Sequence, residues 1–563
     1  MRVRILRLQR CSDRRSLEIR LRLCHCLKHG LIRLSGVCAM LNRRIVLGLV
    51  GLLCGWIIAS TAWAAGTSGT IDSVAANGKK ITVQPSGDKP KRVFSIADSV
   101  KLTIDGKAAK LSDLKVGQQI SVFTNSSDMV TSVIVRNEKE KTDAPPTPKT
   151  IPKPKKTEPA AETSSDESGG GKPGDSPQFR GPRRDGHSAN GSNIANRWPS
   201  SGPKPAWSAG GLGAGFAAVS VANGRVFTMG LVGNDEKVFA LNERDGRPAW
   251  SVSTGGDAYR NGTGDGPRCT PTVDGDRVYA LGANGDLVCL EARNGQRRWH
   301  KNILREFDGA NIQWGICESP LIDGEKVIVT PGGRGATMVA LNKANGNVIW
   351  KSRAPGDPKA GYASAIAVDV GGVRQYVNFT ARGLVGVRAN DGEFLWQNST
   401  SANGTANCSA PVFHENHVFY GSGYGTGGSC LRLESNGNTT RVEELYKTKD
   451  MKNHHGGMVV VNGFLYGCDE NILTCLDLLS GKVMWKERSP GKGSITFADD
   501  MLIIRNEQGP VTLIEANSQR YVEKGNFDQP NRSRRQSWAY PVVANGHLLL
   551  RDQETLLCYD IRR

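Results

Sequence analysis

Residues 473–485, with the sequence LTCLDLLSGKVMW, decide the fold of this chain. The stretch predicts a β-strand, a tight turn at Ser480-Gly481 and a second strand that ends on Trp485. The same pattern recurs four more times, in residues 239–250, 288–299, 339–350 and 386–396. Self-similarity at a period of about 40 to 50 residues is typical of repeat architectures, so the repeat is interpreted before any single motif.

The repeat units begin near residue 176 and continue to the end of the chain, and a complete unit contains four short strands. The period ends on an aromatic residue at Trp207, Trp250, Trp299, Trp350, Trp396, Tyr446 and Trp485. A degenerate unit covers 495–527, and a last unit over 541–561 has only three strands, so the strand around Trp207 is expected to complete it. Four-stranded units repeated radially form a β-propeller. The sequence therefore predicts an all-β fold with an eight-bladed propeller over 176–563, whose ring is closed by its two ends.

Composition and charge limit the possible partners. The 563 residues are 38% hydrophobic, which is enough for a core, and the 67 Gly indicate many turns. Ten of the 19 net positive charges fall within residues 1–65. The remainder is only mildly basic, so we expect no nucleic-acid partner.

Residues 40–65 have the three parts of a secretory signal peptide. The short positive segment Asn42-Arg43-Arg44 precedes the apolar segment 45–58, which is too short for a comfortable membrane span. Ala-Trp-Ala at 62–64 is a cleavage motif. This predicts a periplasmic or otherwise extracytoplasmic protein with no integral membrane span after cleavage. The Arg-rich residues 1–39 are either a targeting extension or an incorrectly assigned start of the chain.

A second, smaller domain precedes the repeats. Residues 66–137 alternate in the manner of five or six short strands, and Asp105-Gly106 is a hairpin signal. A small OB-like β-barrel is predicted. Nucleic-acid binding by an OB-fold needs exposed stacking aromatics, and Phe94 and Phe123 serve equally well as core residues, so we expect a structural or protein-contact module. Residues 138–175, rich in Pro, Lys and Ser, predict a disordered linker.

Eight cysteines remain after the signal peptide, at Cys269, Cys289, Cys317, Cys408, Cys430, Cys468, Cys475 and Cys558. An even number in an exported chain is compatible with disulfides. However, four of them occupy one position of the repeat that Ala or Gly fills in other blades. That pattern favours a small buried packing site with free thiols. Zinc is not favoured, because the sequence has no Cys-x-x-Cys spacing.

The long connectors between blades carry the candidate binding residues. Each runs from a terminal aromatic residue to the next inner strand, and its last residues are expected to ring the mouth of the central channel. The predicted ligand- or partner-binding face consists of Tyr259, Arg260, Asn311, Trp314, Glu318, Tyr362, Asn407, Asn453, His454, His455 and Trp538. The alternative is that these loops only cap the channel. Adjacent histidines with a glutamate suggest a metal, but neighbouring residues of a strand point to opposite sides, so no metal is predicted.

The repeats resemble a known family. Their form, A-x-[DN]-x-x-[ST]-G-x-x-x-W, is similar to that of pyrroloquinoline-quinone (PQQ)-type eight-bladed propellers. The motifs at 178–186, 314–320, 453–457 and 548–553 resemble those of PQQ-binding-like β-propeller repeat proteins of planctomycete type. Such proteins are related in shape to the B scaffold lipoprotein of the outer-membrane β-barrel assembly machinery.

The resemblance implies two functions of different classes. The favoured one is a non-catalytic scaffold, monomeric and without a cofactor, whose loop face binds an envelope protein or polymer. The alternative is a PQQ- and calcium-dependent quinoprotein dehydrogenase, which would need calcium ligands, an Asp base and, in many members, an adjacent Cys pair. The sequence has no Cys-Cys dipeptide, and it has no Gly-x-Ser-x-Gly or His-Glu-x-x-His motif of a hydrolase. The prediction is therefore that the protein is not an enzyme and that no residue is catalytic.

Overall fold

A computed structural model of the protein describes residues 65–75, 80–85, 90–96, 100–104, 107–108, 110–124, 130–136 and 172–563. The predicted segment 1–39, residues 40–64 of the predicted signal peptide and residues 138–171 of the predicted linker lie outside this description. The chain divides into two compact units, residues 1–161 and 162–563. Within the described ranges, no helix is long and apolar enough to cross a membrane.

The described part of the first unit is one sheet of seven strands. The strands are β1 (Ala65–Val74), β2 (Lys80–Pro85), β3 (Arg92–Ser95), β4 (Lys101–Ile104), β5 (Lys107–Ala108), β6 (Gln119–Thr124) and β7 (Val130–Arg136). A single 3-10 turn, Leu111–Asp113, precedes β6. The order across the sheet is β3-β2-β1-β6-β7-β4-β5, and β4 runs parallel to β7.

This strand order is compatible with a small barrel, because β3 and β4 lie towards opposite ends of the sheet although they are consecutive in the chain. The OB-like barrel stays a prediction. The predicted turn at 105–106 lies outside the description, but Ile104 pairs with Lys107 across it. Phe94 is buried in the core of this unit, so it is not available for stacking on a base.

The second unit contains eight four-stranded antiparallel sheets, as the repeats predict, and they are numbered here as blades in chain order. Blades 1 to 4 consist of β9 (Ser220–Ala222), β10 (Arg225–Val232), β11 (Asp235–Asn242) and β12 (Pro248–Asp257); β13 (Thr272–Asp274), β14 (Arg277–Leu281), β15 (Asp286–Glu291) and β16 (Arg297–Asn302); β17 (Leu321–Asp323), β18 (Lys326–Val329), β19 (Met338–Asn342) and β20 (Val348–Ser352); and β21 (Ile366–Val370), β22 (Val373–Thr380), β23 (Gly383–Arg388) and β24 (Phe394–Asn398). A one-turn helix, Ile303–Glu306, follows β16.

Blades 5 to 7 follow the same pattern. They consist of β25 (Val412–His414), β26 (His417–Ser422), β27 (Gly427–Ser435) and β28 (Thr440–Thr448); β29 (Met458–Val461), β30 (Phe464–Asp469), β31 (Ile472–Asp477) and β32 (Val483–Glu487); and β33 (Gly493–Ala498), β34 (Met501–Asn506), β35 (Val511–Glu515) and β36 (Glu523–Phe527). Blade 8 consists of β37 (Val542–Ala544), β38 (His547–Asp552), β39 (Thr555–Asp560) and, from the start of the unit, β8 (Lys204–Ala209).

The pairing of β8 with β39 closes the ring. The two strands run antiparallel, with Trp207 opposite Cys558. This confirms the prediction that the strand around Trp207 completes the last blade. The first strands of neighbouring blades also contact one another, as β9 does with β13 and β29 with β33, so these strands are the innermost. Because the ring is closed in this way, the first and the last blade both have four strands.

One contact repeats between blades and involves the aromatic residue that ends each repeat. In blade 2, Trp299 lies opposite the small Cys289 on the neighbouring strand. Its indole N–H donates to the main-chain carbonyl of Lys343 in blade 3 at 3.0 Å. The turn residue Gly346 of blade 3 lies against the same ring, and a Cβ there would come to 3.0 Å from it. The same hydrogen bond to the next blade is made by Trp207, Trp250, Trp350, Tyr446 and Trp485.

The cysteines at this position of the repeat are packing residues, as predicted. Cys289, Cys430, Cys475 and Cys558 are buried, and each lies opposite the aromatic residue of its own blade. All eight cysteines of the second unit are free. A small side chain is required here because the ring of the opposite residue fills the space above it.

Blade 7 lacks a terminal aromatic residue and is completed from outside the repeat. In the other blades a small residue on the third strand faces a larger one on the fourth. In blade 7 the larger residue, Leu513, is on the third strand and the small one, Gly525, is on the fourth. Trp198, which precedes the first blade, takes the place left by Gly525; a Cβ on Gly525 would lie 2.8 Å from the Cβ of Trp198. The indole is 5% exposed and packs edge-on against Phe527 at 5.4 Å between ring centres.

Residues 176–194, here called the plug, fill the central channel. Ser176 bridges to Val221 on the inner strand of blade 1, and His187 bridges to Phe497 on the inner strand of blade 7. The carbonyl of Pro177 accepts from the N–H of Val273 in blade 2 at 2.8 Å. Since inner strands on different sides of the ring all contact this one segment, the plug lies on the axis.

Two buried arginines fix the plug to the blades. Arg184 is 2% exposed and donates to the carbonyls of Ser319 and Pro320 in blade 3 at 2.7 and 3.1 Å. Arg180 is 6% exposed and donates to the carbonyl of Met458 in blade 6. Burial lowers the pKa of Arg184 to about 10, so its guanidinium stays charged at neutral pH. A buried cation needs these acceptors to replace the water it has lost.

We expect the substitution Arg184→Met to lower the free energy of unfolding by about 3 kcal/mol, because it leaves buried carbonyls without a donor. The measurement is urea unfolding followed by tryptophan fluorescence. The matched control is Arg183→Met, since the neighbouring Arg183 side chain is 59% exposed and pairs only with Asp185. Equal effects of the two substitutions would contradict the structural role of the plug.

Candidate functional site

The connectors between blades enclose a cavity of about 310 Å³ at the mouth of the channel. The plug closes the channel beneath it, and Phe179 of the plug forms part of the lining together with Tyr540. The walls are mostly aromatic rings, and the cavity is called here the axial cavity. Its lining consists of Phe179, Phe216, Ala218, Thr263, Arg268, Thr270, Trp314, Cys317, Tyr362, Ser364, Ala406, Cys408, Tyr424, His454, His455, Trp538 and Tyr540.

Most of the lining residues occupy the same position relative to the inner strand of their blade. In seven of the eight blades, the residue four positions before the inner strand points into the axial cavity. These residues are Phe216, Arg268, Cys317, Tyr362, Cys408, His454 and Trp538. In blades 1, 2, 4 and 8 the residue two positions later also lines the cavity, at Ala218, Thr270, Ser364 and Tyr540. This spacing of two is the one expected of extended backbone, in which alternate side chains share a face.

Five of the predicted site residues line the axial cavity, and the other six do not. The five are Trp314, Tyr362, His454, His455 and Trp538. Three of the six, Glu318, Asn407 and Asn453, are each one residue away from a lining position. The alternation of the extended chain therefore turns their side chains away from the cavity and into the blades.

Glu318 is 2% exposed and binds within the ring of blades. Its carboxylate accepts from the N–H and the hydroxyl of Thr330 at 2.6 and 2.9 Å, and from Nδ2 of Asn378 at 3.1 Å. Burial raises its pKa to about 7, although the donors from Thr330 oppose that rise. These hydrogen bonds hold the Glu318 side chain between blades 3 and 4, which is a structural role.

Asn407 and Asn453 satisfy main-chain groups. Asn407 donates to the carbonyl of Thr380 at 2.9 Å, and Asn453 donates to the carbonyls of Gly457 and Cys468 at 2.9 and 3.1 Å. Both side chains are fully or almost fully buried. Such bonds hold the connectors on top of the blades, which is the capping role left open by the sequence.

Tyr259, Arg260 and Asn311 also hold loops in place. The hydroxyl of Tyr259 donates to the carbonyl of Gln313 at 2.7 Å, so the ring supports the loop that carries Trp314. Arg260 forms an exposed ion pair with Asp265 at 3.3 Å, and Asn311 donates to the carbonyl of Ala283 at 3.1 Å. These three residues do not line the axial cavity themselves; they hold its loops in place.

Both predicted histidines reach the axial cavity, because the chain bends at His455 instead of continuing as a strand. Nε2 of His454 lies 3.0 Å from the hydroxyl of Tyr424, a residue that is 52% exposed at the rim. Burial, followed by the charges of His455 and Lys492, lowers the pKa of His454 to about 3. His454 is therefore neutral at pH 7.

His455 takes part in a small polar cluster centred on Glu507. Oε1 of Glu507 lies 3.0 Å from Nε2 of His455 and 2.6 Å from the indole nitrogen of Trp538, and Oε2 lies 3.2 Å from Lys492. Burial alone would raise the pKa of Glu507, but these hydrogen bonds and the charge of Lys492 lower it to about 2. Burial lowers the pKa of His455. An ionised Glu507 thus orients two rings of the cavity wall and is itself fully bound.

The axial cavity is poor in groups that perform chemistry. Its one permanently charged side chain, Arg268, donates to the carbonyls of Gly264 and Gly266 and lies over the rings of Phe216 and Tyr259 at 5.4 and 5.0 Å. The thiols of Cys317 and Cys408 are the nucleophiles nearest to the space. Burial raises the pKa of both thiols, that of Cys317 to about 11, so neither is a thiolate at neutral pH.

The lining does not fit PQQ or calcium. PQQ carries three carboxylates and needs cationic partners, whereas the described lining supplies one guanidinium, which is already engaged. Calcium takes six to eight oxygen ligands, mostly carboxylates, and no Asp or Glu belongs to the described lining. No group of three or more His, Cys, Asp or Glu that could hold a metal ion occurs among the residues described in the two units.

Several lining residues were not predicted from the sequence, notably Phe216, Arg268, Cys317, Cys408 and Tyr424. Each of the first four lies four positions before the inner strand of its blade, so aligning the repeats on that strand would have identified them. Tyr424 lies in the loop between the second and third strands of blade 5 and carries no repeat signal. Phe179 and Tyr540 contribute because the plug occupies the channel.

Among the eight cysteines of residues 172–563, we expect iodoacetamide to modify only Cys317 and Cys408 in the native protein, because these two thiols are partly exposed and the other six are buried. The rate should rise about tenfold per pH unit up to about pH 11, since the thiolate reacts and the pKa of Cys317 is about 11. Peptide mass mapping identifies the sites. Modification of Cys289 or Cys475 before unfolding would contradict the packing described above.

We expect His454→Phe to reduce the loss of stability on acidification. The pKa of His454 is about 3 in the folded protein, below its ordinary value, so the unfolded state binds the proton first and folding weakens as pH falls from about 6.5 towards 3. The melting temperature of the variant should therefore fall less between pH 7 and pH 5 than that of the native protein. The control is His414→Gln, at a partly exposed histidine outside the axial cavity. Identical slopes for all three proteins would contradict the expectation.

Comparison with known proteins gives one family match of broad extent. A family model described as outer membrane protein assembly factor BamB matches residues 197–316 and 235–487, which together span about half of the chain. The assembly factor BamB of Yersinia pestis is 26% identical over 333 residues, which cover 55% of this chain and 76% of that protein. The crystal structure of BamB from Moraxella catarrhalis aligns with a TM-score of 0.43 at 12% identity, over 59% of this chain and 93% of that one.

A second group of relatives consists of quinone-dependent dehydrogenases. The 1-butanol dehydrogenase (quinone) of Thauera butanivorans is 32% identical over 115 residues, which cover 20% of this chain. This chain spans only 17% of the length of that enzyme. The similarity to this enzyme is therefore local, whereas the assembly-factor model matches residues 197–316 and 235–487. The chain belongs to the family of PQQ-like β-propeller repeat proteins whose model is described as outer membrane protein assembly factor BamB.

Proposed function

We propose that the protein is an exported, non-catalytic scaffold that binds a polypeptide of the cell envelope at its axial cavity. The predicted signal peptide at 40–65 supports export to the periplasm or a comparable compartment. Membership of the family named after an assembly factor supports a role in binding. The observation that carries the proposal is the aromatic, largely uncharged lining of the axial cavity.

The chemistry of the lining supports a protein ligand. Binding energy at protein interfaces is concentrated in buried aromatic anchors that fill well-packed pockets. Trp538 lies 4.7 Å from Phe216 and 5.5 Å from His455 between ring centres, and Trp314 lies 5.5 Å from Tyr362. These rings are fixed by bonds to Glu507 and to the hydroxyl of Thr263, so the site is ordered before a ligand arrives.

The rival function is that of a quinoprotein dehydrogenase, which the local similarity to 1-butanol dehydrogenase favours. We propose that this chain works without PQQ, because the axial cavity offers neither the cations nor the carboxylates that the cofactor and its calcium would require. The engaged Arg268 and the un-ionised thiols support the same proposal.

We expect Trp314→Ala to reduce capture of envelope proteins by the immobilised full chain, because it removes a wall of the axial cavity. The control is Leu479→Ala, since Leu479 is 50% exposed on a turn at the other end of the blades. Captured proteins are quantified by mass spectrometry. An unchanged set of proteins with the Trp314 variant, or an equal loss with the Leu479 variant, would count against the site.

The dehydrogenase is tested separately by incubating the protein with PQQ and Ca²⁺ and removing unbound cofactor. The scaffold proposal expects no quinone absorbance to remain with the protein and no reduction of an artificial electron acceptor by primary alcohols. Retained quinone that turns over an alcohol would overturn it.

A further inference from the structure

We propose that the axial cavity receives one aromatic side chain of an acidic polypeptide segment. The inference rests on the proposed function and specifies the chemistry of the partner. It follows from the size of the axial cavity, from the charge inside it and from the uncompensated charges around its mouth.

The size and the floor of the axial cavity favour a single large side chain. The volume is about 310 Å³, and the plug prevents any ligand from passing through the channel, because Phe179 packs edge-on against Tyr540 at 5.3 Å between ring centres. Aromatic rings prefer edge-to-face and offset contacts with other rings at about 4.5 to 7 Å. The wall offers such contacts from several directions, so an aromatic side chain fits its chemistry better than a sugar, which needs many free polar groups.

The charge inside the axial cavity excludes a basic side chain. Arg268 is a permanent cation in the described lining, and no carboxylate of that lining balances it. His454 is neutral at pH 7, and burial lowers the pKa of His455. A lysine or arginine entering this space would lose its water without gaining an anion, which is unfavourable. A neutral ring avoids this cost.

The charges around the mouth favour carboxylates next to the ring. Arg534 and Arg535 lie on the connector that carries Trp538, and both are exposed. Neither guanidinium has an ion-pair partner within residues 172–563. On the connector between blades 5 and 6, the exposed Lys449 donates only to the main-chain carbonyl of Gly425, which follows the lining residue Tyr424.

Glu507, the carboxylate beside the axial cavity, does not neutralise these cations, because it is bound by His455, Trp538 and Lys492. Unpaired cations around an apolar pocket complement a ligand whose apolar anchor is flanked by anions. They also increase the rate of encounter with such a ligand at low salt.

The test uses the full chain and fluorescein-labelled synthetic peptides in fluorescence anisotropy. The probe is a nonapeptide with a central Trp between Asp and Glu residues, compared with peptides in which Ala replaces Trp, Asn and Gln replace the acids, or Lys replaces the acids. We expect each replacement to weaken binding by about tenfold or more. Equal binding of the amide-flanked peptide, or of the Ala peptide, overturns the inference.

Variants locate the binding site. The double change Arg534→Glu with Arg535→Glu should weaken binding of the acidic probe about tenfold and reduce its dependence on salt. Arg305→Glu is the matched control, because Arg305 is also exposed and lies on the helix that follows blade 2. The bound probe should also protect Cys317 and Cys408 from iodoacetamide. An equal effect of the control, or no protection, overturns the inference.

The outcomes for the two proposals are distinguishable. If capture of envelope proteins depends on Trp314 while acidic and amide-flanked peptides bind alike, the scaffold proposal stands and the acidic character of the partner is wrong. If the acidic probe binds but protects neither thiol, the peptide binds elsewhere and the axial cavity is not its site.

Discussion

The fold depends on the contact between each terminal aromatic residue and the following blade. A four-stranded sheet of this size cannot bury both of its faces alone. The Trp299 side chain packs over a small residue of its own blade, bonds to a carbonyl of the next, and lies under a glycine turn there. The same three contacts are made by Trp207, Trp250, Trp350 and Tyr446, whereas Trp396 donates to Gln375 of its own blade. The indole thus satisfies a buried polar group and aligns two sheets with the same atoms. Where the repeat lacks this residue, in blade 7, Trp198 from another part of the chain takes the place.

This regularity explains why the fold was predictable and the site only partly so. The terminal aromatic residues, the glycine turns and the three-stranded last unit are visible in the sequence, and they were enough to predict the blades and their closure through Trp207. The cavity residues follow a second rule, the alternation of the extended connector. Grouping the last residues of each connector without that alternation placed Glu318 and Asn453 beside His454, although their side chains point away from it. The plug had no repeat signal, so Phe179 could not be placed.

The electrostatics of the axial cavity are arranged so that ionised groups support the walls and leave the space itself nearly neutral. Glu507 is ionised, but its carboxylate is already bound by Trp538, His455 and Lys492. Burial keeps His454 and the thiols uncharged at neutral pH. Such an arrangement suits recognition by shape and ring contacts, because it avoids the cost of removing water from free charges when a ligand enters.

The plug also determines how the propeller would respond to mechanical force. The predicted linker joins the second unit before Ser176. Tension along it first reaches Gly174 and Asp175, which bond to turns of blades 8 and 1, and then the plug. The plug is held by Arg184 in blade 3, by Arg180 in blade 6 and by strand-like pairing to blades 1 and 7. A pull is therefore distributed as shear over blades on several sides of the axis, instead of peeling one outer strand from its neighbour. We therefore expect a propeller attached in this way to keep its ring closed under load.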